Sequence, residues 1–175
     1  LPTRELAIQV EESLLKVGHL GLRTALLIGG APIFQQKQRL RNQPNIIIAT
    51  PGRCIDHLKQ KSLTLSKVQI LILDEADRML DMGFAPQIKQ IIAEIPTQRQ
   101  TLLFSATMPK ELLNIANTTM RSPYHIEVAP SGTTAENIEQ AFVVMRKEYK
   151  FTELTSLLET FEGTVLIFIR TKYGA

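Results

Sequence analysis

Asp74, Glu75 and Asp77 follow directly on the apolar run Ile70-Leu71-Ile72-Leu73. One carboxylate in that place can hold Mg²⁺ through its water shell, and a second can orient or deprotonate an attacking water. Taken alone, the acidic pair fits a solvated turn after a core strand equally well. Four other short stretches carry groups of chemical use: Pro2-Thr3-Arg4-Glu5-Leu6-Ala7, Gly29-Gly30, Thr50-Pro51-Gly52-Arg53 and Ser105-Ala106-Thr107. Gly29-Gly30 lets a backbone come close to a ligand with its N–H groups free for a phosphate, and it is also what a tight turn requires. Thr50 to Arg53 combines a hydroxyl, a glycine amide and a guanidinium at a helix start, either a plain helix entry or a grip on a phosphodiester. Thr3-Arg4-Glu5 is an N-cap with a solvated ion pair or a further phosphate contact. Ser105 and Thr107 serve equally as caps for the helix that Pro109 opens.

These residues need elements to hold them. Four branched aliphatics without polar alternation predict, at 70–73, a strand covered on both faces, as in a parallel α/β sheet. The acids then stand at its carboxyl end, where ligands bind in open parallel sheets. Thr3 caps a helix whose Leu6, Val10, Leu14 and Val17 line one face until Gly18 ends it. Strands are expected at 22–28, 45–49, 101–104 and 125–129. Helices are expected at 33–41, 54–61, 78–83 and 86–95, and from Pro109 through Met120. This alternation favours a doubly wound α/β domain, which brings the chemically loaded turns to one edge of the sheet. Pro130-Ser131-Gly132-Thr133-Thr134 has linker composition and marks a domain boundary. Beyond it a strand (138–145), a helix (147–161), a turn at Gly163 and a strand (164–170) begin a new unit.

The 175 residues suffice for one buried domain and part of another. A hydrophobic content of 44% and a charged content of 21% are ordinary globular values, and a net charge of +3 is compatible with nucleic acid without arguing for it. The single Cys54 excludes an internal disulfide, and His19, His57 and His125 lack zinc-ligand spacing. A reducing, cytoplasmic setting is expected. No apolar run reaches membrane-spanning length. Cys54, the three histidines and the methionines are read as packing or surface.

The ordered set of motifs is more specific than any member. Pro2-to-Ala7, Gly29-Gly30, Thr50-to-Arg53, Asp74-Glu75-Ala76-Asp77 and Ser105-Ala106-Thr107 together resemble the DEAD-box family of ATP-dependent RNA helicases. Leu166-Ile167-Phe168 with Thr171-Lys172 is similar to the first motif of that family's second domain. The resemblance implies an α/β, doubly wound, RecA-like first domain over 1–129, a linker at 130–136 and the opening β-α-β of a second RecA-like domain at 137–175. It implies ATP and Mg²⁺ as cofactors and single-stranded or duplex RNA as partner, held by its backbone with little sequence preference. By similarity, Asp74 positions Mg²⁺ through water, and Glu75 is the base or water-orienting residue. Asp77 bonds to Ser105 and Thr107, and Thr3, Arg4, Gly30, Thr50, Gly52 and Arg53 hold the RNA. The sequence contains no G-x-x-x-x-G-K-[ST] loop, so the chain is expected to be a helicase fragment without turnover of its own. Two other functions remain open from the residues: an ATP-independent RNA clamp, and a DNA helicase of the same superfamily.

Overall fold

Residues 1–18, 21–128, 138–139 and 141–169 are described by a computed structural model. The chain divides into two compact units, Leu1–Thr133 and Thr134–Ala175.

In the first unit, helix α1 (Arg4–Val17) begins where Thr3 Oγ1 accepts from the Leu6 amide at 3.3 Å, and ends where the Gly18 amide donates to Leu14 O at 2.8 Å. Strand β1 (Thr24–Leu27) pairs in parallel with β2 (Ile46–Ala49), with Thr24 opposite Ile46 and Leu27 opposite Ala49; helix α2 (Ile33–Arg41) makes the crossover. Helix α3 (Pro51–Lys59) leaves β2 directly, three residues earlier than expected from sequence, because Pro51 presets the backbone at the first helical position. Strand β3 (Ile70–Leu73) pairs in parallel with β4 (Gln100–Leu103), Ile70 opposite Gln100 and Leu73 opposite Leu103, across helices α4 (Ala76–Asp81) and α5 (Ala85–Ala93). Helix α6 (Lys110–Thr119) follows β4.

The architecture is α/β and RecA-like, with parallel strands in two two-stranded sheets that no ladder joins among the described residues. One apolar layer nevertheless runs under both. Ala25, Leu27, Cys54, Leu63, Leu65 and Ile95 are buried there, with Ile47, Ala49 and Leu71 packed against them. Helix α1 covers the opposite face of β1–β2 through Ala7, Val10 and Leu14 on Ile28 and Ile48. Leu73, Ala76, Met79, Ile88 and Leu112 close a third cluster beside β3.

Two expectations need correction. The run Ile70–Leu73 is covered on one face only: Leu73 is buried, whereas Ile70 and Ile72 are 56% and 55% exposed. Uniform aliphatic character signals that both faces seek cover, but the described residues supply packing partners to the Leu71/Leu73 face alone. The strands expected at 138–145, 164–170 and 125–129 are not strands where they are described. A strand exists only with a ladder partner, and a lone two-stranded pair is marginal in water. Phe142, Val144 and Phe168 stay 94%, 96% and 88% exposed, so no apolar contact recruits these segments. What the second unit does form is a 3₁₀ turn at Lys147–Tyr149 and helix α7 (Lys150–Thr160). The 130–136 linker, Ala129, Arg170 and Thr171-Lys172 lie outside the described residues.

Candidate functional site

The carboxyl ends of β1 and β2 carry one group of the expected residues. The Leu1 nitrogen donates to Ala49 O at 3.1 Å, which sets Pro2, Thr3 and Arg4 beside the end of β2. The Arg4 guanidinium lies over the turn that follows β1. A Cβ built on Gly29 would stand 3.2 Å from Arg4 Nη2, and one on Gly30, whose φ is +78°, would collide with Nη1. Only glycine permits that approach and that backbone together. Thr50 is buried, and its N–H continues the ladder to Leu27 O at 3.0 Å while its hydroxyl makes no cap bond in α3. Arg53 reaches back to the same turn: Nη1 donates to Ala31 O at 2.9 Å, and Nε lies 3.5 Å from Asp56 Oδ2. No atom stands within 4 Å of a Cβ built on Gly52, so the start of α3 is open on that side. Thr3 spends its hydroxyl on the α1 cap. Arg4, Gly30 and Arg53 thus meet at one turn, with Thr3, Thr50 and Gly52 on the adjoining helix starts. Guanidinium groups beside unhindered glycine amides are suited to an anionic oxygen.

The carboxyl ends of β3 and β4 carry the other group. The Phe104 amide donates to Leu73 O at 2.8 Å and the Ala76 amide to Phe104 O at 3.0 Å, so the acid turn and the turn after β4 are stitched together. Asp74 Oδ1 accepts from the Glu75 amide at 2.9 Å. Glu75 caps α4 in the left-handed region, φ 50° and ψ 50°, and its Oε2 pairs with Arg78 Nη1 at 3.1 Å. Asp77 is the most heavily bonded side chain of the group. Its Oδ2 accepts from the Thr107 amide and hydroxyl, both at 2.8 Å, and its Oδ1 from the Arg78 amide at 2.9 Å. The Asp77 amide donates to Ser105 Oγ at 3.2 Å, and Ser105 Oγ donates to Thr107 O at 2.7 Å. Desolvation, the largest influence on the Asp77 carboxyl, pushes its pKa up. The bonds from Thr107, Arg78 and Ser105 together outweigh it and hold the group below its ordinary value.

No cluster of three or more metal-ligating side chains occurs among the described residues. Asp74 and Glu75 are a donor set for a cation that keeps most of its water, as Mg²⁺ does. No hydrogen bond or ion pair joins the two groups of residues among those described.

Sequence reasoning passed over Gln36 and His57. His57 is fully buried on α3 and Gln36 is nearly so on α2; they are bonded to each other and to the glycine turn. Periodicity held the signal: His57 falls three residues after buried Cys54, and Gln36 lies between Ile33 and Leu40 on the inner face of α2.

Residues 1–115 match the family model described as DEAD/DEAH box helicase. The chain is 40% identical over 173 residues to the ATP-dependent RNA helicase DbpA of Bacillus subtilis (strain 168), covering 98% of this chain and 36% of that protein. It is 44% identical over 173 residues to the DEAD-box ATP-dependent RNA helicase CshA of Bacillus cereus (strain ATCC 10987 / NRS 248), covering 98% and 33%. It therefore spans about a third of the curated relatives it matches. Among solved structures, a DEAD box protein from the hyperthermophile Methanococcus jannaschii superposes with a TM-score of 0.71 at 40% identity, over 91% of this chain and 43% of that one. A hypothetical ATP-dependent RNA helicase from Sulfolobus tokodaii gives 0.66 at 39% identity, over 70% and 37%.

Proposed function

The chain belongs to the DEAD/DEAH box helicase family, and on that premise we propose that it is the part of an ATP-dependent RNA helicase that grips RNA and positions the hydrolytic carboxylates. The observation that carries this is Asp77, which ties the turn bearing Asp74 and Glu75 to Ser105 and Thr107 through bonds of 2.8 to 3.2 Å. A solvated acidic turn would need no such tie. In this proposal Asp74 holds Mg²⁺ through water, and Glu75 takes or orients the proton of the attacking water. Mg²⁺·ATP, when bound, supplies the phosphoryl group and neutralises charge developing on its oxygens. Asp77 keeps both acids in register with Ser105 and Thr107. Arg4, Gly30, Gly52 and Arg53, with Thr3 and Thr50, meet the RNA backbone, which predicts weak sequence preference and marked salt sensitivity. The stretch 130–136 is assigned as the linker between a first domain, 1–129, and the start of a second. A cytoplasmic setting is supported by Cys54, free and buried, its thiol pushed up to about 11 chiefly by desolvation.

The test is Glu75→Gln against Asp74→Asn in the full-length protein, with single-turnover hydrolysis and nucleotide affinity measured together. Glu75→Gln should keep ATP and RNA affinity while the chemical step slows by roughly 10² or more. Asp74→Asn should weaken Mg²⁺·ATP binding itself. Equal loss of ATP affinity in both, or near-normal turnover in Glu75→Gln, overturns the assignment. Stimulation by DNA equal to that by RNA would overturn the substrate.

A further inference from the structure

The amides of Gly29 and Gly30 donate to no protein acceptor among the described residues, while the carbonyls on either side of them are held fast. Gln36 Nε2 donates to Ile28 O at 3.0 Å and to Ala31 O at 3.3 Å. With its hydrogens so used, the Gln36 amide has only Oε1 left, and an oxygen can only accept. A flipped amide would set that oxygen against two carbonyls. The partner of Oε1, 3.1 Å away, is His57 Nε2, which must therefore carry a hydrogen. In the neutral ring Nδ1 is then an acceptor, and Ser62 Oγ stands 2.8 Å from it. Arg53 adds its own bond to Ala31 O. A buried relay thus runs from the loop after α3, through α3 and α2, to both shoulders of the glycine turn.

We propose that Gln36 and His57 are positioning residues that hold the Gly29-Gly30 turn with its amides outward for an RNA phosphate and lock that turn to helix α3. Holding two carbonyls inward fixes the peptide planes between them, and outward amides form an anion-binding concavity. The inference rests on the RNA-gripping role assigned above to Arg4, Gly30 and Arg53. Neither side chain reaches the ligand; both act through the backbone they bond.

The experiment uses the full-length protein and an unstructured RNA oligonucleotide, with affinity measured by fluorescence anisotropy across a KCl series and ATP turnover measured as RNA is titrated. Gln36→Met with His57→Leu removes both polar groups without leaving either one orphaned. RNA half-saturation should weaken about 5- to 10-fold, with kcat at saturating RNA and the ATP KM moving less than about twofold. The slope of log affinity against log salt should become shallower by about 0.7, the loss of one phosphate contact on a single strand. A merely structural role would change the melting temperature but not that slope. Gln36→Glu keeps the size and the bond from His57 but has no hydrogens for Ile28 and Ala31, so it must weaken RNA in the same way. His57→Gln, which can still donate to Gln36, should recover most of the affinity. Wild-type affinity and slope in Gln36→Glu overturn the proposal, whether or not the double variant folds. If Arg4→Ala and Arg53→Ala also leave RNA affinity unchanged, the fault lies in the RNA assignment of the turn itself. If they weaken it and Gln36→Glu does not, only the positioning role fails.

Discussion

After β2 the chain turns on Thr50, whose N–H reaches back to Leu27 of β1; after β4 it turns on Phe104, whose N–H reaches back to Leu73 of β3. Up to that bond the two strand pairs are built alike. Beyond it they diverge. The turn after β1 is held by donors, Gln36 and Arg53, aimed at main-chain carbonyls, and its central residues Gln36 and His57 are buried. The turn after β3 is held by an acceptor, the Asp77 carboxylate, which collects N–H and O–H groups near the surface. A turn meant to present amides to an anion must have its carbonyls bound elsewhere, and neutral groups do that inside a core without a charge to desolvate. A turn meant to present carboxylates to a cation can spend another carboxylate as its clamp, because hydrogen bonds keep it ionised.

The contrast breaks most visibly at Asp77. Asparagine there would set an NH₂ group against the Thr107 donors or surrender one of its acceptor positions, so the stitch to Ser105 and Thr107 should open. RNA-stimulated ATP turnover of the full-length Asp77→Asn variant should fall about tenfold or more, the equivalent of about 1.4 kcal/mol. Its affinity for RNA without nucleotide, measured by anisotropy, should stay within about twofold of wild type. Loss of RNA affinity matching the loss of turnover would show that the two turns are not separate devices.

Acid should separate the two regions by a smaller margin. Desolvation first, then Arg53 and Lys37, lowers the His57 pKa from its ordinary 6.5, with Asp56 opposing. Above pH 6.5 folded and unfolded chains both carry a neutral ring. As pH falls below it, the unfolded chain takes up a proton that the folded one resists, and stability is lost until the folded pKa is passed. Asp77, held below 3.8, contributes in full above that value and loses its contribution only as pH falls beneath it. Between pH 7.5 and 5.5, hydrogen-exchange protection at Leu26 and Ile48 should therefore drop several-fold relative to Ile72 and Leu102. Equal losses in both strand pairs would contradict the assignment of the buried ring to the first.

The smallest effect belongs to Arg39 and Glu11, paired at 3.2 Å on the outside of the β1–β2 region with Arg39 53% exposed. Glu11 also accepts from Thr24 Oγ1 at 2.8 Å, so it keeps a partner when the arginine goes. Arg39→Ala should cost less than about 1 kcal/mol in urea denaturation and leave RNA affinity within about twofold. A larger loss would move the anchor of this region from its interior to its rim.

How much of this was legible in the residues depends on whether neighbours in sequence decide it. The Thr3 cap, the α1 face and the position of Asp74 after β3 are local matters, and pattern alone located them. The bonds of Asp77 to residues 28 and 30 positions away were expected through family likeness, since no spacing rule joins β3 to the turn after β4. Exposure of Ile70 and Ile72 was hidden because an apolar run states what the chain could bury, not what is there to cover it. The missing strands at 138–145 and 164–170 failed for a related reason: strand propensity in Phe142-Val143-Val144 or Val165-Leu166-Ile167-Phe168 has no effect without a ladder to join. His57 was misjudged because a single histidine carries no periodic signal of its own. Its place had to be taken from Cys54, Ile55 and Leu58 around it.

Glu75 sits in a backbone conformation that costs a side-chain-bearing residue about 1 kcal/mol and glycine almost nothing. Position 75 is thus a place where two selections disagree. A library sorted for heat resistance would drift toward glycine there, and one sorted for turnover would keep returning the acid. A sequence surviving many generations of both pressures spells out, at that one letter, which of them has governed the chain.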